Sequence, residues 1–139
     1  MFYLKKMRSE KGVGMHMNLI TKILSVLVAA EFLYIFYLET IATASTKTSK
    51  VFGMTKTELR QKNVNILFKN QGVYNGLLAI MILLAVFVFA SKAAVICLMG
   101  YIVAVALYGS LTSNPKIILM QGGLAILTLL FFFLRNHHL

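Results

Sequence analysis

Two glutamates, Glu31 and Glu39, interrupt the first long apolar run of the chain, which extends from Leu19 to Ala44. A carboxylate in hydrocarbon costs on the order of 3 kcal/mol on insertion scales, so it survives where it faces protein, water or a partner. The chemistry open to such a group is proton binding or pairing with a cation. Glu31 is about a dozen residues from either end of its block, near mid-depth, whereas Glu39 is close enough to one end to reach the interface. Glu31, Ile35 and Glu39 recur every four residues, in one drifting row on a helix with Tyr34 alongside.

A second concentration of polar side chains is Asn70-Gln71-Gly72-Val73-Tyr74-Asn75-Gly76. Gln71, Tyr74 and Asn75 share a helical face, so three hydrogen-bonding groups point one way. Gly72 and Gly76 have the four-residue spacing that lets another helix approach closely. The cost of an unpaired carboxylate then predicts that Glu31 faces the bundle interior. There it would lie within reach of Gln71, Tyr74 or Asn75, directly or through water. Further along, Tyr101 and Tyr108 are seven apart, Gly100 and Ala104 four apart, and Gln121 lies a few residues inside the last apolar block. Each of these features has a plainer reading. Amide–carboxylate contacts between membrane helices are often glue worth ~0.6 kcal/mol. Tyrosines near span ends are commonly interface anchors.

The candidate substrate- or proton-binding set is therefore Glu31, Glu39, Tyr34, Asn70, Gln71, Tyr74, Asn75, Tyr108 and Gln121. No catalytic residue is assigned. His16, His137 and His138 lie in the leader and the tail, with no cysteine or carboxylate grouped as metal ligands would be. No histidine stands near a serine or cysteine inside the apolar blocks, and no phosphate-cradling glycine motif occurs. Neither metal nor cofactor is expected.

The elements that must position these residues are long and apolar. Of 139 residues, 59% are hydrophobic and 13% charged, and the mean hydropathy is +0.80. Soluble domains run about 45–50% apolar and about 25% charged, so the chain departs toward lipid on both counts. Four blocks suit the ~20 helical residues that cross about 30 Å of hydrocarbon. They are residues 19–44, 72–90, 93–111 and 117–134, the last three free of charge. Only Ser91-Lys92 separates the second and third, which forces an antiparallel hairpin. Pro115 closes the turn-rich connection before the fourth and is suited to the first turn of that helix. Within the long polar connection, Thr55 and Glu58 read as a capping box. The residues from there to Lys69 predict an amphipathic interfacial helix running into the second span, with a solvated loop as the alternative. The expected fold is all-α: one four-helix transmembrane domain over 17–139, preceded by a basic leader over 1–16.

A net charge of +10 raises nucleic acid as a partner. The basic residues instead cluster at Lys5, Lys6, Arg8 and Lys11 and between Lys47 and Lys69, flanking apolar blocks. That is the pattern of positive-inside bias and anionic headgroups, so the bilayer is the expected partner and nucleic acid is not. The basic leader and Ala42-Thr43-Ala44 imitate a cleaved secretory signal. Glu31 lies mid-run, however, and the apolar stretch exceeds the usual ~7–15 residues, so a retained span is expected. Single Cys97 allows no intrachain disulfide. Counted from Met17, the connection carries Lys47, Lys50, Lys56, Arg60, Lys62 and Lys69 against Lys22 on the N-terminal side. This places the connection in the cytoplasm and both termini outside, a bias that the leader's four cations would roughly cancel.

The strings Ala30-Glu31-x-x-Tyr34-Ile35-x-x-x-Glu39, Val51-Phe52-Gly53, Asn70-Gln71-Gly72-x-Tyr74-Asn75-Gly76 and Tyr108-Gly109 resemble the bacterial membrane family called domain of unknown function 1304. The likeness covers Met17 to about Leu134. It implies a small four-span inner-membrane protein without an assigned activity. Two features depart from the family pattern. Phe32 stands where a histidine usually follows the first glutamate, which removes a Glu–His pair, and the chain begins sixteen residues before Met17, where the family's proteins tend to start.

The resulting functional expectation is a small multi-pass protein of the cell membrane in which Glu31 alternately binds a proton and a lipophilic or cationic solute. The small-molecule ligand itself is not legible. Four short helices rarely enclose a pathway alone, so this reading requires a homodimer. Its rivals are an accessory or structural membrane protein whose polar cluster only stabilises the bundle, and an intramembrane enzyme acting on lipid or quinone. No distinct catalytic set supports the last.

Overall fold

The computed structural model describes residues 1–3 and 17–136. The basic residues of the leader and the three histidines fall outside them. All described elements are helical, with no strand among the described residues. In chain order they are α1 (Leu19–Phe36), a π-helical turn π1 (Tyr37–Ile41), α2 (Thr46–Phe52), α3 (Lys56–Arg60), α4 (Lys62–Leu83), π2 (Leu84–Val88), α5 (Lys92–Thr112), α6 (Ile117–Met120) and α7 (Gly123–Asn136).

Three stretches are long and apolar enough to cross a membrane: Leu19–Ile41, Lys62–Val88 and Lys92–Thr112. Only 33%, 39% and 22% of their most apolar windows are buried. The outward side chains are large and apolar, among them Ile23, Leu27, Leu77, Ile80, Phe87 and Leu107. Water does not tolerate so continuous an apolar surface, whereas hydrocarbon does.

Residues Val28–Met81 form one compact unit, and Met1–Leu27 with Ile82–Leu139 form another. In the first, α1 ends where Ala42 donates its amide to Tyr37 O at 2.9 Å, one residue beyond the α-helical partner. The chain then turns through Ser45, whose Oγ accepts from Thr48 N at 3.2 Å and starts α2. Gly53, in the left-handed conformation at φ 65°, closes α2 as only glycine does without strain. The Thr55–Glu58 capping box is formed in both directions. Leu59 is fully buried, and Phe52 meets Phe68 edge-on at 5.1 Å. The connection is therefore a small folded cap.

Two expectations need correction here. The interfacial helix is not continuous from Thr55: Gln61, extended at ψ 131°, breaks it, and from Lys62 the helix runs, as expected, without interruption into the second apolar block as α4. The first span ends as helix at Ile41, not Ala44.

In the second unit, Ser91 caps α5 by accepting from Ala94 N at 3.2 Å, and Ala90 turns the hairpin at φ 45°. Both edges of α5 lie within one residue of those expected. α5 packs on α6 and α7. The fourth apolar block is not a single helix. It breaks at Gln121-Gly122, where a Cβ on Gly122 would sit 2.7 Å from Ile118 O and 3.2 Å from Ala106 Cβ. Two consecutive glycines weaken a helix at that point. Pro115 lies in the turn ahead of α6, where Asn114 Oδ1 accepts from Lys116 N at 3.0 Å. Gly100 and Ala104 are exposed, and among the described residues nothing lies within 4 Å of a Cβ at Gly100.

Candidate functional site

The polar groups that converge lie in the unit Val28–Met81, where π1 and the first half of α4 meet. Gly72 faces Glu39 and Thr40 so closely that a Cβ there would collide with Thr40 Oγ1 and sit 3.0 Å from both Glu39 Cβ and Thr40 N. One turn on, a Cβ at Gly76 would lie 3.0 Å from the Phe36 ring. The Gly72/Gly76 spacing thus does what it predicts. At Gly72 it lets the backbone of Thr40 come close, and at Gly76 the missing side chain leaves room for the Phe36 ring.

This seam delivers Asn75 to Glu39. Asn75 Nδ2 donates to Glu39 Oε2 at 2.7 Å, with Glu39 only 5% exposed and Asn75 half-buried. An amide N–H can serve either protonation state of Glu39, because a carboxylate and the carbonyl oxygen of a carboxylic acid both accept. The backbone around Glu39 is held as well. Thr43 Oγ1 donates to Glu39 O at 2.6 Å, and Thr40 Oγ1 donates to Lys69 O at 3.2 Å. The fully buried Thr48 hydroxyl lies 2.7 Å from Ala42 O and 3.1 Å from Leu38 O. It reaches two carbonyls at the end of π1, of which Ala42 O also accepts from Ser45 N at 3.1 Å. π-helical turns recur at functional sites, and this one carries Glu39 at its centre.

Glu31 is placed differently. It is half-buried, and its buried Oε2 has no hydrogen-bond partner among the described residues. No direct hydrogen bond joins Glu31 to Gln71, Tyr74 or Asn75, for a reason of register. Gly76 against Phe36 and Gly72 against Thr40 define an antiparallel pairing. At equal helical rise, that pairing sets Glu31 level with Met81, in the apolar half of α4. Asn75 is therefore spent on Glu39. Gln71, Asn70, Tyr34 and Tyr74 are exposed, Tyr74 at 70%.

Tyr108 and Gln121 belong to the other unit. Tyr108 is exposed, with Thr112 Oγ1 donating to its carbonyl at 2.8 Å, and Gln121 is half-buried at the α6–α7 break. Sequence reasoning passed over Thr40, Thr43 and Thr48. The Ser45-x-x-Thr48 spacing is a capping signal that could have pointed to the last of them. It also passed over Ser25, fully buried in α1 with no partner for its hydroxyl among the described residues.

The family model described as "Protein of unknown function (DUF1304)" matches residues 26–133, which include the seam and both span glutamates. The chain is 56% identical over 115 residues to the uncharacterized protein YpaA of Lactococcus lactis subsp. lactis (strain IL1403). That alignment covers 82% of this chain and 97% of the relative. No solved structure matches. The chain belongs to the DUF1304 family.

Proposed function

We propose that the protein is a four-span carrier of the cell membrane, working as a homodimer, in which Glu31 exchanges a proton for a small lipophilic or cationic solute. The observation that supports this is the unequal treatment of the two span glutamates. Glu39 is tied to Asn75 at 2.7 Å, whereas the buried Oε2 of Glu31 has no partner among the described residues. A carboxylate in the apolar part of a bundle is costly, and one left unpaired by the fold is available to a proton or a cation. In the cycle, Glu31 releases its proton to one side, pairs with the solute cation, and takes a proton again when the solute leaves.

The fourth crossing is assigned to α6 and α7 together. Residues 117–136, at ~1.5 Å each, reach the ~30 Å that α7 alone does not. Counted from Met17, the cations of the connection favour a cytoplasmic side for it, with the C-terminus outside. A second reading, favoured by the Glu39–Asn75 bond, is that the polar cluster only stabilises the bundle.

Proteoliposomes with an internal pH dye separate the two. Imposing a gradient of tetraphenylphosphonium or ethidium should move protons through the wild type and through Glu39→Gln, but not through Glu31→Gln. Equal flux in Glu31→Gln and wild type would leave only the structural reading.

A further inference from the structure

The cap between the first two spans has properties that proton exchange at Glu31 does not use. From Ser45 to Lys69 it carries Lys47, Lys50, Lys56, Arg60, Lys62 and Lys69, all exposed, against the single carboxylate Glu58. Glu58 is turned back on its own helix start, where its Oε2 accepts from Thr55 N at 2.7 Å. The six cations ride on folded structure. Lys47, Lys50 and Val51 are all exposed on α2, which the buried Thr48 anchors to the end of the first span. Lys62, Ile66 and Lys69 form one row on α4, with Ile66 48% and the neighbouring Leu67 66% exposed.

Depth follows from length. Lys62–Val88 has 27 residues and measures about 40 Å, against about 30 Å of hydrocarbon. The surplus is about seven residues, which matches the stretch from Lys62 to Lys69 and puts these lysines at headgroup level.

We propose that this cap is a binding surface for anionic phospholipid headgroups of the leaflet it sits in. The partner follows from charge complementarity and from the mixture of residues. Cations meet the phosphates, and Val51, Ile66 and Leu67 among them meet the upper acyl chains. A nucleic acid would leave those apolar side chains unused, and a second copy of the same face would set six cations against six.

Each basic residue near an anionic surface contributes about fivefold in affinity, less when screened. The test uses the full chain in nanodiscs of equimolar phosphatidylglycerol and phosphatidylcholine, released into detergent and read by native mass spectrometry. Wild type should retain phosphatidylglycerol in clear excess, with the excess shrinking as salt rises. Lys47→Gln/Lys50→Gln/Lys56→Gln/Arg60→Gln should lose most of that preference, while Lys92→Gln/Lys116→Gln/Arg135→Gln keeps it. A second arm does not depend on the fourfold variant folding. The chain has no tryptophan, so Val51→Trp adds a single reporter. Its fluorescence should be quenched more by brominated phosphatidylglycerol than by brominated phosphatidylcholine. Equal retention and equal quenching by the two lipids would overturn the proposal. So would lysine crosslinks between two copies across this face.

Discussion

Replacing Gly72 by alanine adds one methyl group at the tightest point of the seam. That carbon would collide with Thr40 Oγ1 and come within 3.0 Å of Thr40 N and Glu39 Cβ. A backbone nitrogen cannot swing aside as a side-chain tip can, so the helices must separate or Thr40 must give up its bond to Lys69 O. Overpacking of this kind costs ~1–3 kcal/mol, and a lost hydrogen bond adds ~0.5–1.5 kcal/mol. The better helix propensity of alanine returns ~0.8–1 kcal/mol. The net expectation is a destabilisation of about 1–3 kcal/mol. Gly100→Ala is the matched control, because among the described residues nothing lies within 4 Å of its added carbon and only the propensity gain remains. Unfolding in mixed detergent and dodecyl sulfate micelles, followed by circular dichroism, compares the two. Gly72→Ala as stable as Gly100→Ala would refute the close seam, and with it the delivery of Asn75 to Glu39.

Two further expectations rest on the same unit. Gly76→Leu should fail to fold in detergent or unfold well below wild type, since its side chain must displace the Phe36 ring. Leu77→Ala, at a residue 52% exposed, should cost little in the same titration. Thr48→Val removes the hydroxyl beside Leu38 O and Ala42 O at constant shape and should cost ~1–3 kcal/mol, with Thr48→Ser recovering most of it. Hydrogen exchange should then quicken over residues 42–54 first, and an unchanged pattern would mean that the cap is not anchored by this residue.

The features legible in the sequence were those set by neighbours along the chain. An uninterrupted apolar run after the short Ser91-Lys92 gap gave the extent of α5, and Thr55-x-x-Glu58 gave a helix start, because a capping box acts over three residues. The Gly72/Gly76 spacing announced a close approach, since only small residues permit one. What depended on the register between helices was hidden. Assigning Asn75 to Glu31 required knowing how far α4 slides along α1. That offset is set by the folded cap, whose α2 was not anticipated, and by the extra residue in π1. Neither leaves a periodic signal. The break at Gln121-Gly122 was written in the two glycines. Hydropathy does not register backbone geometry, so the apolar run looks continuous across that break.

The contrast between the two span glutamates is tested most directly by carbodiimide mapping of the reconstituted protein. Dicyclohexylcarbodiimide partitions into lipid and forms a stable adduct on protonated carboxylic acids that it can reach. Digestion and mass spectrometry then assign the adduct to a residue. A carrier centred on Glu31 predicts modification of Glu31 in preference to Glu39, whose carboxyl is held by Asn75 within the Gly72/Gly76 seam. It also predicts that tetraphenylphosphonium slows the reaction at Glu31 alone. An adduct confined to Glu39, or a Glu31 adduct that forms at the same rate with and without the cation, would contradict it.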